Sequence, residues 1–340
     1  MTGWHEVLTL FMAGAVVVGI ASYVVLDGFD LGIGILSGFV ADSAERDQMM
    51  NAIGPFWDGN ETWLVFGAAV LLAMFPLAFA VILPALYVPV VIMLMALVFR
   101  GVAFEFRFRH NPRPRTWDIA FFAGSVLAAF MQGVALGTFL QGIPVVDGHF
   151  AGTQWDWLGF FPLTTGAALV IGYGLLGATF LFWRVSGQLQ ADARRRARPL
   201  LYGVIASILI VSVWTPLHLP GIVTRWFDFP FSFVFAPVPI LTALCAIRTF
   251  HALRTRQRSA WPFACSVGLF LLGFLGLAIS IYPFLPPPTL DLFHAAASPA
   301  AQGFLLPGIV VLVPVILVRT WLNYRIFAEH ADQGAGYEVS

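Results

Sequence analysis

Three short stretches place carboxylates inside or beside segments apolar enough to cross a membrane. The first is Asp27-Gly28-Phe29-Asp30, followed by Gly32 and Gly34. The second is Pro55-Phe56-Trp57-Asp58-Gly59-Asn60-Glu61-Thr62-Trp63, and the third is Glu105, set between Arg100 and the pair Arg107 and Arg109. Asp27 and Asp30 are three residues apart, as are Asp58 and Glu61, so on a helix each pair shares a face. An Asp at the centre of a membrane helix costs about 2.5–3.5 kcal/mol on insertion scales, which makes such residues functional candidates. Two chemistries are open. Carboxylates at a helix start stabilise it by about 0.3–1 kcal/mol; that suits Asp58 and Glu61 but not Asp27 and Asp30, which stand toward the end of the first apolar run. Glu105 would then be an ion-pair partner for the arginines around it. The alternative is a series of proton-exchanging groups open to the cytoplasm, passing protons through water.

The elements that must hold these groups are membrane helices. Of the 340 residues, 59% are hydrophobic and 11% charged, against about 25% charged in a soluble domain. The formal net charge is zero, and nothing in it suggests a nucleic-acid partner. The pattern predicts an all-α polytopic membrane protein, a single membrane domain over residues 1–340. Nine helices are expected at roughly 8–26, 58–76, 79–99, 117–138, 159–183, 200–218, 232–250, 262–283 and 304–325. The run Trp63–Phe99 is too long for one crossing, and Phe75-Pro76 and Pro84 offer places to turn. Helices 1–4 and 5–8 would form two four-helix bundles, with the ninth peripheral. Gly28/Gly32 and Gly133/Gly137 would be small-residue faces for close packing, including packing on a partner.

Every basic residue is arginine. With the amino terminus outside, the inner loops collect Arg46; Arg100, Arg107, Arg109, Arg113 and Arg115; Arg184, Arg194, Arg195, Arg196 and Arg198; Arg248, Arg254, Arg256 and Arg258; and Arg319 and Arg325. Only Arg225 falls outside. This separation is a positive-inside signal, and the arginines are read as topology determinants at the membrane surface. Met1–Glu6 carries no basic run, and the first apolar run continues without a small-residue cleavage site, so it reads as the first membrane helix. Cys245 and Cys265 form no CxxC and read as small buried residues. No histidine falls in mid-membrane, which argues against a bis-histidine haem in this chain alone. No metal-ligand motif, P-loop or dinucleotide fingerprint is present.

Taken together, the motifs resemble subunit II of the cytochrome bd family of quinol oxidases. The stretches that carry the resemblance are Asp27-Gly-Phe-Asp-Leu-Gly-Ile-Gly (27–34), Asn51-Ala-Ile-Gly-Pro-Phe-Trp-Asp-Gly-Asn-Glu-Thr-Trp-Leu (51–64), Phe99-Arg-Gly-Val-Ala-Phe-Glu-Phe-Arg (99–107) and Gln132-Gly-Val-Ala-Leu-Gly-Thr-Phe-Leu-Gln-Gly-Ile-Pro (132–144), with a weaker match at 281–286. The resemblance implies a subunit of a terminal respiratory oxidase that takes electrons from a membrane quinol and reduces dioxygen to water. Haems b and d (or b alone) and the quinol-oxidising loop would belong to the partner, subunit I, so no catalytic or metal-ligating residue is expected here. This chain would support subunit I in a heterodimer and supply a cytoplasmic proton route. By position, Asp27, Asp30, Trp57, Asp58 and Glu105 correspond to the family's hydrophilic path, and Glu61 lies one turn beyond Asp58. Glu105 stands where the family often has Asp. The short loop at 219–231 places the chain in the shorter branch, which includes the cyanide-insensitive type. Membrane lipids, a structural quinone or lipid, and small accessory subunits are further implied partners, and the bacterial inner membrane is the implied location.

A proton-coupled secondary transporter and a scaffold subunit without a proton role are the competing readings of the same carboxylates. The arginine pattern generates a direct test of topology. A reporter fused after His330 should report the cytoplasm and one placed near Gly148 the opposite side. A cytoplasmic signal at Gly148 would overturn the helix count.

Overall fold

A computed structural model of the chain describes residues 3–107, 114–218, 221–229, 231–255 and 257–328. Arg109, Arg113, Arg256 and His330, named above, lie outside the described residues. The described chain is helical throughout apart from loops and one small hairpin. Its helices are α1 (Gly3–Ser37), α2 (Ser43–Asn51), α3 (Trp57–Met74), α4 (Pro76–Ala85), α5 (Tyr87–Arg107), α6 (Pro114–Gln141), α7 (Phe160–Arg184), α8 (Gly187–His218), α9 (Gly221–Phe227), α10 (Phe231–Phe235), α11 (Pro237–Ala252), α12 (Trp261–Ile281), α13 (Leu292–Ala295) and α14 (Pro299–Ala328). Eight stretches (α1, α5, α6, α7, α8, α10 continued by α11, α12 and α14) are long and apolar enough to cross a membrane. The second expected span corresponds to α3, 18 residues long, whose first turns carry Asp58, Asn60 and Glu61.

Several boundaries differ from the sequence expectation, among them the start of α8 at Gly187 rather than near residue 200, and two of the differences have a clear local reason. The run after Trp57 forms three helices rather than two. Phe75, at φ −131° and ψ 57°, ends α3 because it precedes Pro76, and Pro76 opens α4 at a position where a missing N–H costs nothing. Leu86 (φ −101°, ψ 9°) then separates α4 from α5. The second difference is that α1 continues to Ser37 instead of stopping near residue 26. Asp27 and Asp30 therefore lie within the helix body. Its glycines are retained because they fit against a neighbour. A Cβ at Gly32 would collide with the Tyr173 carbonyl of α7, and one at Gly177 would fall 2.5 Å from the Gly32 carbonyl carbon.

The helices pack as two groups joined through α1, α6 and α7. In the first, α3 lies on α1, and α6 lies on both α5 and α1; in the second, α7 packs on α8 and α12, and α12 on α11. Outside both groups, α14 lies against α1 and α3. The seam is aromatic: Phe29 of α1 stacks on Phe180 of α7 at 4.4 Å and meets Phe263 of α12 edge-on at 5.7 Å. Gly133 and Gly137 of α6 face Thr165, Pro162 and Gly166 of α7. Both small-residue pairs thus join helices of this chain, which corrects the expectation that they might present a surface to a partner.

Several arginines assigned above to topology have structural partners. Arg196 of α8 donates to the Leu36 and Phe39 carbonyls at 3.3 and 2.5 Å, and Arg46 donates to the Val40 carbonyl at 2.7 Å. Arg196 thus meets a carbonyl in the last turn of α1, and both arginines tie down the loop that follows the helix. Arg107 pairs with Asp47 of α2 and Asp118 of α6, and Asp118 also binds Arg46 at 3.1 Å. A hairpin, β1 (Val145–Val146) with β2 (His149–Phe150), turns at Asp147 and Gly148, both with positive φ, as an Asp-Gly turn requires.

The backbone contact at Gly32 predicts a sharp positional effect. Gly32→Ala should lower the stability of the purified protein by about 1–3 kcal/mol through overpacking. Gly273→Ala, where a methyl meets no atom within 4 Å, should be neutral in the same thermal unfolding assay. Equal melting of the two variants would contradict the packing.

Candidate functional site

The carboxylates converge on one guanidinium. Arg100, from the middle of α5, is 1% exposed. Its Nη1 donates to Asp27 Oδ1 of α1 at 3.2 Å and to Glu61 Oε1 of α3 at 3.1 Å. A single atom thus ties three helices together. Asp30, one turn beyond Asp27, accepts from Asn60 Nδ2 at 2.7 Å, and the same nitrogen donates to the Leu26 carbonyl at 3.1 Å. Asp27 and Asp30 are both fully buried, and Asn60 is 2% exposed.

Local sequence explains the convergence. The i, i+3 spacing puts Asp27 and Asp30 on one face of α1. Consecutive Asn60 and Glu61 in the first turns of α3 divide between them, Asn60 to Asp30 and Glu61 to Arg100. Two glycines let the walls close in. At Gly124, α6 approaches Ala96 and Arg100 of α5, and at Gly101, α5 receives the Trp57 ring, with a Cβ there only 3.3 Å from it. Trp57 also packs on Phe104, ring centroids 5.3 Å apart.

Around this core the polar groups continue inward. The Tyr23 hydroxyl lies in the field of Asp27, as does that of Tyr173, whose ring packs against Gly28 and whose hydroxyl side faces Gln132. Both tyrosines are buried. The Tyr23 hydroxyl is paired with Asp27 and that of Tyr173 with Gln132, whereas buried Asp30 Oδ1 and Arg100 Nε and Nη2 have no hydrogen-bond partner. Buried polar atoms are ordinarily satisfied, and here several of them gather in one place between α1, α3 and α5.

The structure therefore brings Asp27, Asp30 and Glu61 together and packs Trp57 beside them. Asp58 stands apart, exposed in the first turn of α3, within electrostatic reach of Glu61. It forms no cap: the N-cap of α3 is Phe56, and no side chain bonds to the exposed amides. Glu105 is half-buried and pairs with neither Arg100 nor Arg107, whose carboxylate partners are Asp27 and Glu61, and Asp47 and Asp118, respectively. The expectation that the neighbouring arginines bind Glu105 is corrected to that extent; Arg109 lies outside the described residues. Sequence reasoning also missed Arg100 itself, grouping it with surface arginines. The available signal was its place at the end of the uninterrupted apolar run Trp63–Phe99, with charge and glycine following. Asn60, Tyr23 and Tyr173 carried no signal of their own.

Haem is the cofactor that the resemblance implies, and the resemblance places it on the partner subunit. Among the described residues His5 opens α1, His149 is in the hairpin, His218 ends α8, His251 lies in the last turn of α11 and His294 is in α13, so the five occupy separate elements. Among the described residues no group of three or more His, Cys, Asp or Glu is arranged to hold a metal ion.

The model of the cytochrome bd terminal oxidase subunit II family matches residues 8–327. Cytochrome bd ubiquinol oxidase subunit 2 of Bacillus subtilis (strain 168) is 29% identical over 317 residues, covering 90% of this chain and 92% of the relative. Cytochrome bd-I ubiquinol oxidase subunit 2 of Escherichia coli (strain K12) is 29% identical over 367 residues, covering 95% of each. Among solved structures, a chain of the bd oxidase from Geobacillus thermodenitrificans shares the fold, with a TM-score of 0.77 at 17% identity over 94% of this chain and 98% of that one.

The Arg100 geometry predicts a compensation effect. Arg100→Gln leaves Asp27 and Glu61 without their shared cation, and breaking a buried pair from one side costs about 3–5 kcal/mol. Adding Asp27→Asn in the same chain should recover part of that loss, because it removes a buried charge. Thermal unfolding in detergent measures both; a double variant no more stable than Arg100→Gln would contradict the pairing.

Proposed function

Because the chain belongs to the cytochrome bd terminal oxidase subunit II family, we propose that it is the non-haem half of a quinol oxidase that reduces dioxygen to water. In this reading it is inactive alone, pairs with a haem-bearing subunit I that also oxidises the quinol, and delivers protons from the cytoplasm. Haem, held by that partner, supplies the dioxygen chemistry. The observation that carries the proton role is the gathering of buried Asp27 and Asp30 and partly exposed Glu61 around the buried Arg100.

Reducing dioxygen consumes protons along with electrons, so a route for protons must exist beside the route for electrons. One guanidinium faces three carboxyl groups in this cluster. Charge balance in a low-dielectric interior is then reached most readily with protons on part of the set. Arg100 holds the cluster in place and offsets one negative charge, and the remaining carboxyls carry the exchangeable proton. Exposed Asp58 stands where a proton would be collected, and Glu61 links it to Asp27. Asp30 and Asn60 extend the cluster, while the Tyr23 and Tyr173 hydroxyls offer the next donors and acceptors. Trp57 walls one side against Gly101 and Phe104. Glu105, without an ion-pair partner among the described residues, is free to serve the same collecting role.

Asp30→Asn keeps size and hydrogen bonding but removes the exchangeable proton. Oxygen consumption per haem in the purified oxidase should fall several-fold, with haem content near normal. Asp58→Asn should act in the same direction, with Asp58→Glu retaining more activity, and Glu105→Gln should have a smaller effect. Unchanged turnover at every pH in both asparagine variants would favour a scaffold without a proton role, and lost haem content would assign the residues to assembly.

A further inference from the structure

A groove on the second helix group has no part in the proton route. It is an open, shallow groove of about 470 Å³ along α11, lined by Leu241, Leu244 and Ile247, with Cys265 of α12 on its other side. Arg248 and His251 close one end. Positions 241, 244, 248 and 251 fall at helical spacing, so they form one stripe on α11. Over about 15 Å that stripe passes from leucines to a guanidinium and an imidazole. Half the thickness of a hydrocarbon core is about the same distance.

The cationic end sits at the depth of a headgroup. Trp261 opens α12, and the Arg248 guanidinium lies over its ring at 5.0 Å from the centroid. Tryptophan in such a place marks the membrane–water boundary. Local charge is one-sided: no Asp or Glu occurs between Asp228 and Asp291, whereas Arg248, Arg254, Arg256 and Arg258 do. Arg194 and Arg198 of α8 donate to the Thr255 and Leu253 carbonyls at 3.4 and 3.1 Å, adding two cations beside the same turn. Neither Arg248 nor His251 has a carboxylate partner among the described residues, and the apolar walls of the groove are exposed.

We propose that this groove binds an anionic phospholipid, with an acyl chain along Leu241 and Leu244 and the phosphate against Arg248 and His251. A soluble anion would leave the apolar walls uncovered, and an apolar peptide would leave the cations unanswered. A chain ending in a phosphate answers both.

The test uses the protein purified from its native membrane in mild detergent, followed by native mass spectrometry with added phosphatidylglycerol or phosphatidylcholine. Phosphatidylglycerol should stay bound at detergent concentrations that strip phosphatidylcholine. Arg248→Gln should weaken its binding about five-fold, the worth of one cation at a membrane surface. Leu244→Trp, which fills the groove with both cations intact, should displace it as well. Arg319→Gln, on α14, should change nothing. Equal retention of the two lipids, unchanged binding in both groove variants, or a peptide found on the groove instead of lipid would overturn the proposal.

Discussion

A single buried guanidinium sets the architecture of the first helix group. Arg100 cannot reach water, and its removal from water is tolerable only because Asp27 and Glu61 approach the same nitrogen from two other helices. That requirement fixes the depth of α1 and α3 relative to α5. It also places Asn60 where it can serve Asp30. The glycines follow from the same demand: Gly101 and Gly124 admit Trp57 and α6 to the surface of α5, and Gly28 and Gly32 admit Tyr173 and the α7 backbone to α1. Small residues in membrane helices allow close approach, and here close approach is what encloses the charge.

The charges at the helix ends serve a different purpose. Arg46, Arg107, Asp47 and Asp118 link α2, α5 and α6, with Arg107 buried and Arg46 and Asp47 partly exposed. Arg196 satisfies a carbonyl in the last turn of α1, and Arg196 and Arg46 satisfy carbonyls in the loop after it. These contacts hold loops and helix termini, where water competes and individual pairs contribute little. The two kinds of arginine share a residue type, but position separates a structural clamp at a helix end from an ion cluster inside the bundle.

Much of this was legible in the sequence. The length of the apolar runs gave the helices, and the three-residue spacing of Asp27 with Asp30 gave their shared face. Asp58 and Glu61 show where the pattern falls short: the same spacing placed one carboxyl on Arg100 and left the other exposed, because α3 begins at the edge of the bundle. The extent of α1 was hidden because glycines within Asp27–Gly34 look like a helix end until their packing partners on α6 and α7 are known. Arg100 was hidden for the opposite reason. A charge after a long apolar run reads as a boundary, and only tertiary contact with α1 and α3 reveals that the helix continues to Arg107 with the charge inside.

The central claim is that a carboxyl group of the Arg100 cluster carries a proton that changes its state during turnover. Redox-linked infrared difference spectroscopy on the purified oxidase reads this directly. The account predicts a carboxylic-acid C=O band that appears with reduction and reoxidation, shifts in D2O, and is lost in Asp30→Asn or altered in Glu61→Gln. A spectrum without such a band, or one unchanged in amide variants of Asp27, Asp30 and Glu61, would contradict it.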